Sequence, residues 1–375
     1  MPISRVKWVW LILFLSLGFQ LLTMSCRTAA QAEVQVSIIT SQAVPHFPES
    51  ITFHFGAEVD SKVKSIDLVY LQASLETFQL LPAEVVESGS QVTATAEADL
   101  ATYFLPAGID LTYHWVVAMV GGEIFETEPA TVTWLDDRFD WEMAEQDGIE
   151  IYSYGRSGDF LDFVVQICGE SGESLRTRYR LSTMDPIRIW LYESSEDFAG
   201  TLAANGEEWA TGLAYPELQV VLAVIPEDSR SEVRRVLPHE ISHQILHQAT
   251  QNPFILTATW IDEGLAVLAQ TGAKEHYRDV VANAFEADEL PSLRGLVSTF
   301  PFEPRDARRA YATSFLVMEY VVNTFGEEAI GAILEGYRAG LSHDGVLIRA
   351  LGVDTDGLEV AWLETLADEL LEQAA

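Results

Sequence analysis

One pentapeptide restricts this chain more sharply than any other feature: His239-Glu240-Ile241-Ser242-His243, in a stretch that reads as a helix. Residues four apart on a helix lie one above the other, about 6 Å along the axis, so the two imidazoles point the same way and can share one ion. Glu240 is turned roughly 100° from His239, which sets its carboxylate beside that ion, within reach of a water it could deprotonate. It is the candidate general base. Two histidines make half of a zinc site, and a catalytic zinc takes three protein ligands and leaves the fourth position to water. Glu263, in Trp260-Ile261-Asp262-Glu263-Gly264-Leu265-Ala266, is the best candidate for the third. His247 continues the histidine face but lies roughly 12 Å along the axis from His239, too far for metal–nitrogen bonds of about 2.1 Å. Pro238 directly precedes the first histidine; lacking an N–H and clashing with the turn before it, it predicts a kink or a first helical turn, with the histidine spacing beyond it intact.

Composition narrows the chemistry further. The chain has two cysteines, Cys26 and Cys168, too few for a disulfide framework or a cysteine-ligated zinc, so a Zn2+ here must use histidine and carboxylate. Lys+Arg 22 against Asp+Glu 57 gives a net charge of −35, a surface that repels phosphate backbones and excludes nucleic acid as a partner. At 375 residues and 48% hydrophobic, the chain is long and apolar enough for two cored domains.

In chain order, residues 1–32 read as a targeting segment: Arg5 and Lys7 precede a run from Trp8 to Cys26 without a charged side chain. Cleavage after Ala32, lipidation at Cys26 and retention as a signal anchor are its three possible fates. Each implies export to the extracellular face of the envelope, with membrane attachment, if any, through this segment alone. Residues 34–136 read as all-β. Ile51, Phe53, Phe55, Ala57 and Val59 alternate, as do Ile66, Leu68 and Tyr70, and Tyr113, Trp115 and Val117, and Gly121-Gly122 signals a hairpin. About seven short strands predict an immunoglobulin- or fibronectin-like sandwich without an inter-sheet disulfide, serving as a spacer or interaction module. Asp136 to Trp141 marks a junction whose aromatics could pin one domain on the next. The second domain, residues 145–375, predicts a strand at Ile149 to Tyr154, a helix over 157–180 that buries Cys168, a buried strand from Ile187 to Tyr192, strands at Trp209 to Tyr215 and Val220 to Ile225, and helices thereafter. Asp306 reads as the cap of a helix ending before Gly326, with Tyr311, Phe315, Met318 and Val322 on one face. A tyrosine on such a buried stripe needs a partner for its hydroxyl, which a metal cleft would supply.

Taken together, His239-Glu240-x-x-His243 and Trp260-x-x-Glu263-Gly264-x-Ala266 resemble the gluzincin metallopeptidases, specifically the bacterial peptidase MA group. The likeness is specific over 239–266 and weaker but continuous from about 150 to 340. It implies a C-terminal α+β zincin-like peptidase domain with His239, His243 and Glu263 as zinc ligands and Glu240 as the base that activates water against a peptide or protein substrate. It also implies an edge strand at Gly212-Leu213-Ala214-Tyr215 for an extended substrate, where the alternative is an ordinary interior hairpin. Tyr311 becomes a candidate to stabilise the oxyanion, with His276 and Tyr277 as weaker ones, and Gly264 would let its helix approach the histidine helix. The same residues are compatible with an envelope binding or scaffold protein that has kept a peptidase fold and lost turnover.

Overall fold

The computed structural model describes residues 35–374 apart from 73–76, 101–104, 157, 200, 202–210 and 273. The targeting segment with Cys26 and Ala32 lies outside the described residues, as does Trp209 at the head of the expected strand. Among the described residues no helix is long and apolar enough to cross a membrane.

The N-terminal region runs β1 (Val36–His46), β2 (Ser50–Val59), β3 (Val63–Gln72), β4 (Thr77–Pro82), β5 (Glu84–Ser88), β6 (Gln91–Asp99), β7 (Ile109–Met119), β8 (Ile124–Glu126) and β9 (Ala130–Trp134). One sheet has the order β1-β2-β6-β5 and the other β4-β3-β7-β8, with β9 also on β7; every pairing is antiparallel. The period-2 pattern explains how they close. β7 alternates buried and half-buried residues along its whole length and β6 alternates exposed and buried ones, so each sheet turns one apolar face inward. Across the gap Phe55 meets Trp115 at 5.4 Å between ring centroids and Phe53 meets Tyr113 at 4.9 Å. The expected glycine pair forms the turn between β7 and β8, where Gly122 has φ +99°.

A mixed sheet follows, built from β10 (Glu142–Gln146), β11 (Ile149–Ser153), β12 (Ile187–Tyr192), β13 (Gly212–Tyr215) and β14 (Val220–Val224) in the order β10-β11-β12-β14-β13. β11, β12 and β14 are parallel, and the two outer strands are antiparallel to their neighbours. The helices are α1 (Gly158–Arg178), α2 (Ser195–Ala199), α3 (Arg230–Thr250), α4 (Thr259–Ala269), α5 (Glu275–Glu286), α6 (Pro304–Phe325), α7 (Glu328–Arg338), α8 (His343–Leu351) and α9 (Thr355–Ala374). Ile149, Ile151, Ile187, Ile189, Val221 and Ala223 share a core with α1 and α3. Cys168 of α1 is fully buried in it, and burial pushes its thiol pKa up, which leaves the group inert.

The opposite face of this sheet is covered by the N-terminal region. Trp190, Tyr192, Val220, Leu222 and Val224 belong to the same apolar cluster as the sandwich core. The junction residues fill the seam: Trp141 stands edge-on to Trp190 at 4.8 Å, Phe139 stacks on Tyr154 at 4.1 Å, and Tyr152 stacks on Trp190 at 4.2 Å. Gly108, with φ +91°, approaches so closely that a Cβ there would lie 1.8 Å from Trp190 Nε1. The expected spacer is therefore a lid on one side of the central sheet, because the inner strands are apolar on both faces and need two covers. One cap also differs from expectation: Glu303 occupies the N-cap of α6 and Pro304 its first turn, while Asp306 sits inside the helix and pairs with Arg309. Proline at the helix start displaces the cap by three residues.

Candidate metal centre

α3 runs unbroken through Pro238. Ser229 caps it, its hydroxyl accepting the Glu232 N–H. Proline at 238 leaves the Arg234 carbonyl without its usual donor one turn on. Thr271 N–H takes that place at 3.0 Å, helped by the Thr271 hydroxyl at 3.4 Å. The gap in the helix ladder thus anchors the chain just past α4 beside His239. The neighbouring Gln270, itself buried, lies with its amide 3.2 Å from His239 Nδ1.

α4 supplies the remaining groups. Glu263 Oε2 lies 3.3 Å from His239 Nε2 and 3.6 Å from His243 Nε2. The potential ligand atoms of His239, His243 and Glu263 all fall within 4.8 Å of one another, and Glu240 is not one of the group. A tetrahedral zinc with bonds near 2.1 Å separates its ligand atoms by roughly 3.4 Å, the spacing these atoms already have. Glu263 Oε2 is also buried without a hydrogen-bond partner, a costly state for a carboxylate oxygen unless a cation meets it. The residues fit a zinc ion.

The surroundings favour that arrangement unequally. His243 Nδ1 lies 2.6 Å from Asp262 Oδ1, which fixes the proton on Nδ1 and turns the Nε2 lone pair inward. His239 has the neutral Gln270 amide instead; for Nε2 to bind a metal, Nδ1 keeps its proton and the amide must face it with its oxygen. Burial alone would lower the His243 pKa, but the carboxylates of Asp262 and Glu263 outweigh it and raise the value to about 10. Burial would raise Glu263, and the two histidines bring it below the ordinary carboxylate range. Burial pushes Glu240 up, against the pull of His239 and His243.

Gly264 does give a close approach, though with α6 and not with the histidine helix: a Cβ there would lie 2.5 Å from the Ser314 carbonyl and 2.7 Å from the Met318 side chain. The spacing alone could not tell which helix crosses at that point. This contact sets α6 against the site. The Tyr311 hydroxyl donates to Glu263 Oε1 at 3.4 Å, and its ring lies 6.3 Å from His239. Tyr277 packs on Phe315 at 5.6 Å and its hydroxyl bonds Gln270, and His276 rests on the Tyr277 ring at 4.0 Å. Trp260 is buried and its indole N–H donates to His343 Nε2 at 3.3 Å.

Among the described residues β13 is an edge strand, as the resemblance implied and the interior-hairpin reading did not. Its Thr211 carbonyl accepts the Val224 N–H at 2.9 Å, so in this antiparallel register the alternate residues Gly212 and Ala214 turn their N–H and C=O groups outward. Gly212 lies against the general-base candidate: a Cβ there would fall 2.5 Å from Glu240 Oε1.

Asp262, Gln270 and Thr271 were not singled out from the sequence. Asp262 carried a signal in standing next to Glu263, and Pro238 pointed to an unpaired carbonyl, but the donor's identity is a tertiary fact.

A family model for the peptidase MA superfamily matches residues 174–368, just over half of the chain. The chain belongs to the peptidase MA superfamily. No curated protein matches it. Among solved structures, a mutant of the M1 zinc metallopeptidase from Deinococcus radiodurans is 12% identical over 87% of this chain and 94% of that one, with a TM-score of 0.40. An aminopeptidase N family protein from Idiomarina loihiensis is 9% identical over 88% of this chain and 70% of that one, with a TM-score of 0.32. A cycloalternan-degrading enzyme from Trueperella pyogenes is 14% identical over 31% of this chain, at a TM-score of 0.20, and the chain spans 17% of that enzyme's length.

Proposed function

We propose that this protein is a zinc metallopeptidase of the gluzincin type, exported by residues 1–32 and held at or released from the outer face of the membrane. The observation that carries the reading is the convergence of His239, His243 and Glu263 around a buried, unsatisfied carboxylate oxygen, with Glu240 beside it and outside the ligand group. Zinc, when bound, supplies a Lewis acid that polarises the scissile carbonyl and makes water a competent nucleophile near neutral pH. The open amides of Gly212 and Ala214 hold an extended peptide by strand addition, next to Glu240. Glu240 takes the proton of the attacking water and passes it to the leaving amine, and burial, by raising its pKa, makes it a stronger base. Tyr311, whose hydroxyl donates to Glu263 Oε1 beside the ligand group, is read as the oxyanion donor. The paired N-terminal sheets are read as an immunoglobulin- or fibronectin-like module.

Replacing Glu240 with Gln keeps size and hydrogen bonding and removes the proton acceptor. Zinc content and fold should be unchanged, while hydrolysis of an unstructured protein falls by roughly 10²- to 10⁴-fold. A wild type that binds zinc and cleaves nothing, with Glu240→Gln indistinguishable from it, would establish the scaffold reading instead. Export is tested separately: Cys26→Ser should release a lipoprotein from the membrane fraction or leave its signal uncleaved, and an unchanged mass and location would exclude lipidation.

A further inference from the structure

α4 begins without a cap of its own. Ala258 at its N-cap has no side-chain oxygen to accept the amides of the first turn, although that turn carries Asp262 and leads directly into Glu263. The start of the helix is fastened from outside instead. The Thr259 N–H donates to the Val297 carbonyl at 2.9 Å, the Ala258 N–H to the Tyr337 hydroxyl at 3.4 Å, and the Trp260 indole N–H to His343 Nε2 at 3.3 Å. His343 Nδ1 lies 2.5 Å from the same Tyr337 oxygen. Tyr337 stands at the end of α7 and His343 opens α8, so the junction of those two helices grips the amino end of the helix that holds the carboxylate ligand.

The chemistry of these partners leaves His343 one protonation state. An indole N–H can donate and cannot accept, so Nε2 must offer its lone pair and the single ring proton lies on Nδ1, where it reaches the Tyr337 oxygen. A second proton would sit on Nε2 and face the Trp260 N–H, two donors 3.3 Å apart with no acceptor between them. Trp260 is fully buried and has no room to turn away. From α4 and α7 the ring meets Trp260 and Tyr337, both uncharged. On its own helix Asp344 favours the extra proton, but that carboxylate is taken by Thr355 and by Arg294, and the Arg294 guanidinium opposes the proton. Burial is the largest influence and holds the His343 pKa below its ordinary 6.5.

We propose that His343 is a positioning residue that holds the amino end of α4, and Glu263 with it, while its imidazole is neutral, so that acid loosens the zinc site through a proton that none of the ligands takes up. The link to zinc rests on the metal reading above, whereas the latch between His343 and Trp260 stands without it. The sign follows from the lowered value: the latch contributes stability above a pH of about 6.5, and that contribution is lost as pH falls through the lower pKa of the folded protein.

The test compares wild type with His343→Gln, which offers the Trp260 N–H an uncharged amide oxygen and cannot gain a proton. Zinc affinity is read by chelator competition at about pH 7.5 and about pH 5.5, on either side of the ordinary histidine value. Both proteins lose affinity as the ligand histidines protonate, and wild type should lose roughly five- to tenfold more, the size of a coupling of about one pKa unit. His343→Ala should bind zinc more weakly than His343→Gln at the higher pH, because it has no acceptor for Trp260. Carbon-13 NMR of the metal-free wild type, with the His343 ring assigned by its absence from the His343→Gln spectrum, should show that ring titrating below 6.5. Trp260→Phe removes the opposing donor and should move the His343 pKa up toward 6.5. Equal acid losses in wild type and His343→Gln, or a wild-type His343 pKa at or above 6.5, would overturn the proposal. A wild type that binds no zinc at the higher pH would count against the metal reading instead, and the titration would still decide the latch by the same two outcomes.

Discussion

The two faces of the five-stranded sheet are closed by different means. On one side α1 and α3 bring aliphatic residues to Ile149, Ile151, Ile189 and Val221. On the other, Trp190 and Tyr192 meet a wall of aromatic rings from the sandwich and the junction. Their unmet polar atoms also differ. The aromatic face leaves the neutral Trp190 indole N–H unbonded, while the helical side, besides neutral groups such as the Gln244 amide oxygen, leaves a carboxylate oxygen between two imidazoles. A neutral orphan costs a fraction of a charged one, so the first is a packing defect and the second marks a place for a cation. The helical face is where the chemistry belongs, and the aromatic face holds the sheet still beneath it.

Damage to the aromatic face should therefore be large in stability and silent in metal binding. Trp190→Ala is expected to cost about 3–5 kcal/mol by removing a fully buried indole. Denaturant unfolding measures the loss, and zinc affinity of the folded fraction should stay within twofold of wild type. Loss of zinc along with stability would break the division between the faces.

Damage next to the ligands should act on zinc directly. Asp262→Asn keeps shape but removes the charge that strengthens His243, and should weaken zinc affinity by 10- to 100-fold. Gln270→Ala should fall at the lower end of that range, because a neutral amide orients His239 without the charge a carboxylate adds to its partner. Competition against a zinc chelator measures both, and equal losses would contradict the asymmetry.

Protons give a smaller but sharper contrast. In the metal-free protein the His243 pKa is raised from 6.5 to about 10, so at pH 7 the ring carries a proton that zinc must displace. Zinc binding at pH 7 should release about one proton, seen calorimetrically in buffers of different ionisation enthalpy, and affinity should climb with pH until about 10. The sign for folding follows: a raised native pKa stabilises the metal-free protein fully below about 6.5, and that contribution is lost as pH rises toward about 10.

Local pattern made much of this legible in advance. Alternation in β3 and β7 reads directly from the residues, as do the glycine turn at 121–122 and the helical phase of His239 and His243, because each depends on one segment's own period. What stayed hidden depends on which segment lies opposite. Gly264 announces a close approach without saying that α6 makes it, and Pro238 announces an orphan carbonyl without saying that Thr271 fills it. The sandwich's role as a cover was equally unreadable: the run from Ile187 to Tyr192 reads as a buried strand, but does not say what covers it.

The central claim is that three side chains on the helical face, and no others, hold the metal. Zinc per chain, measured by mass spectrometry of the native protein after dialysis against a weak chelator, tests it in wild type, His239→Ala, Glu263→Gln and Glu240→Gln. One zinc is expected in wild type and in Glu240→Gln, with most of it lost from His239→Ala and from Glu263→Gln, where a neutral amide replaces a carboxylate ligand. A full zinc in His239→Ala, or equal loss from both glutamate variants, would contradict the account.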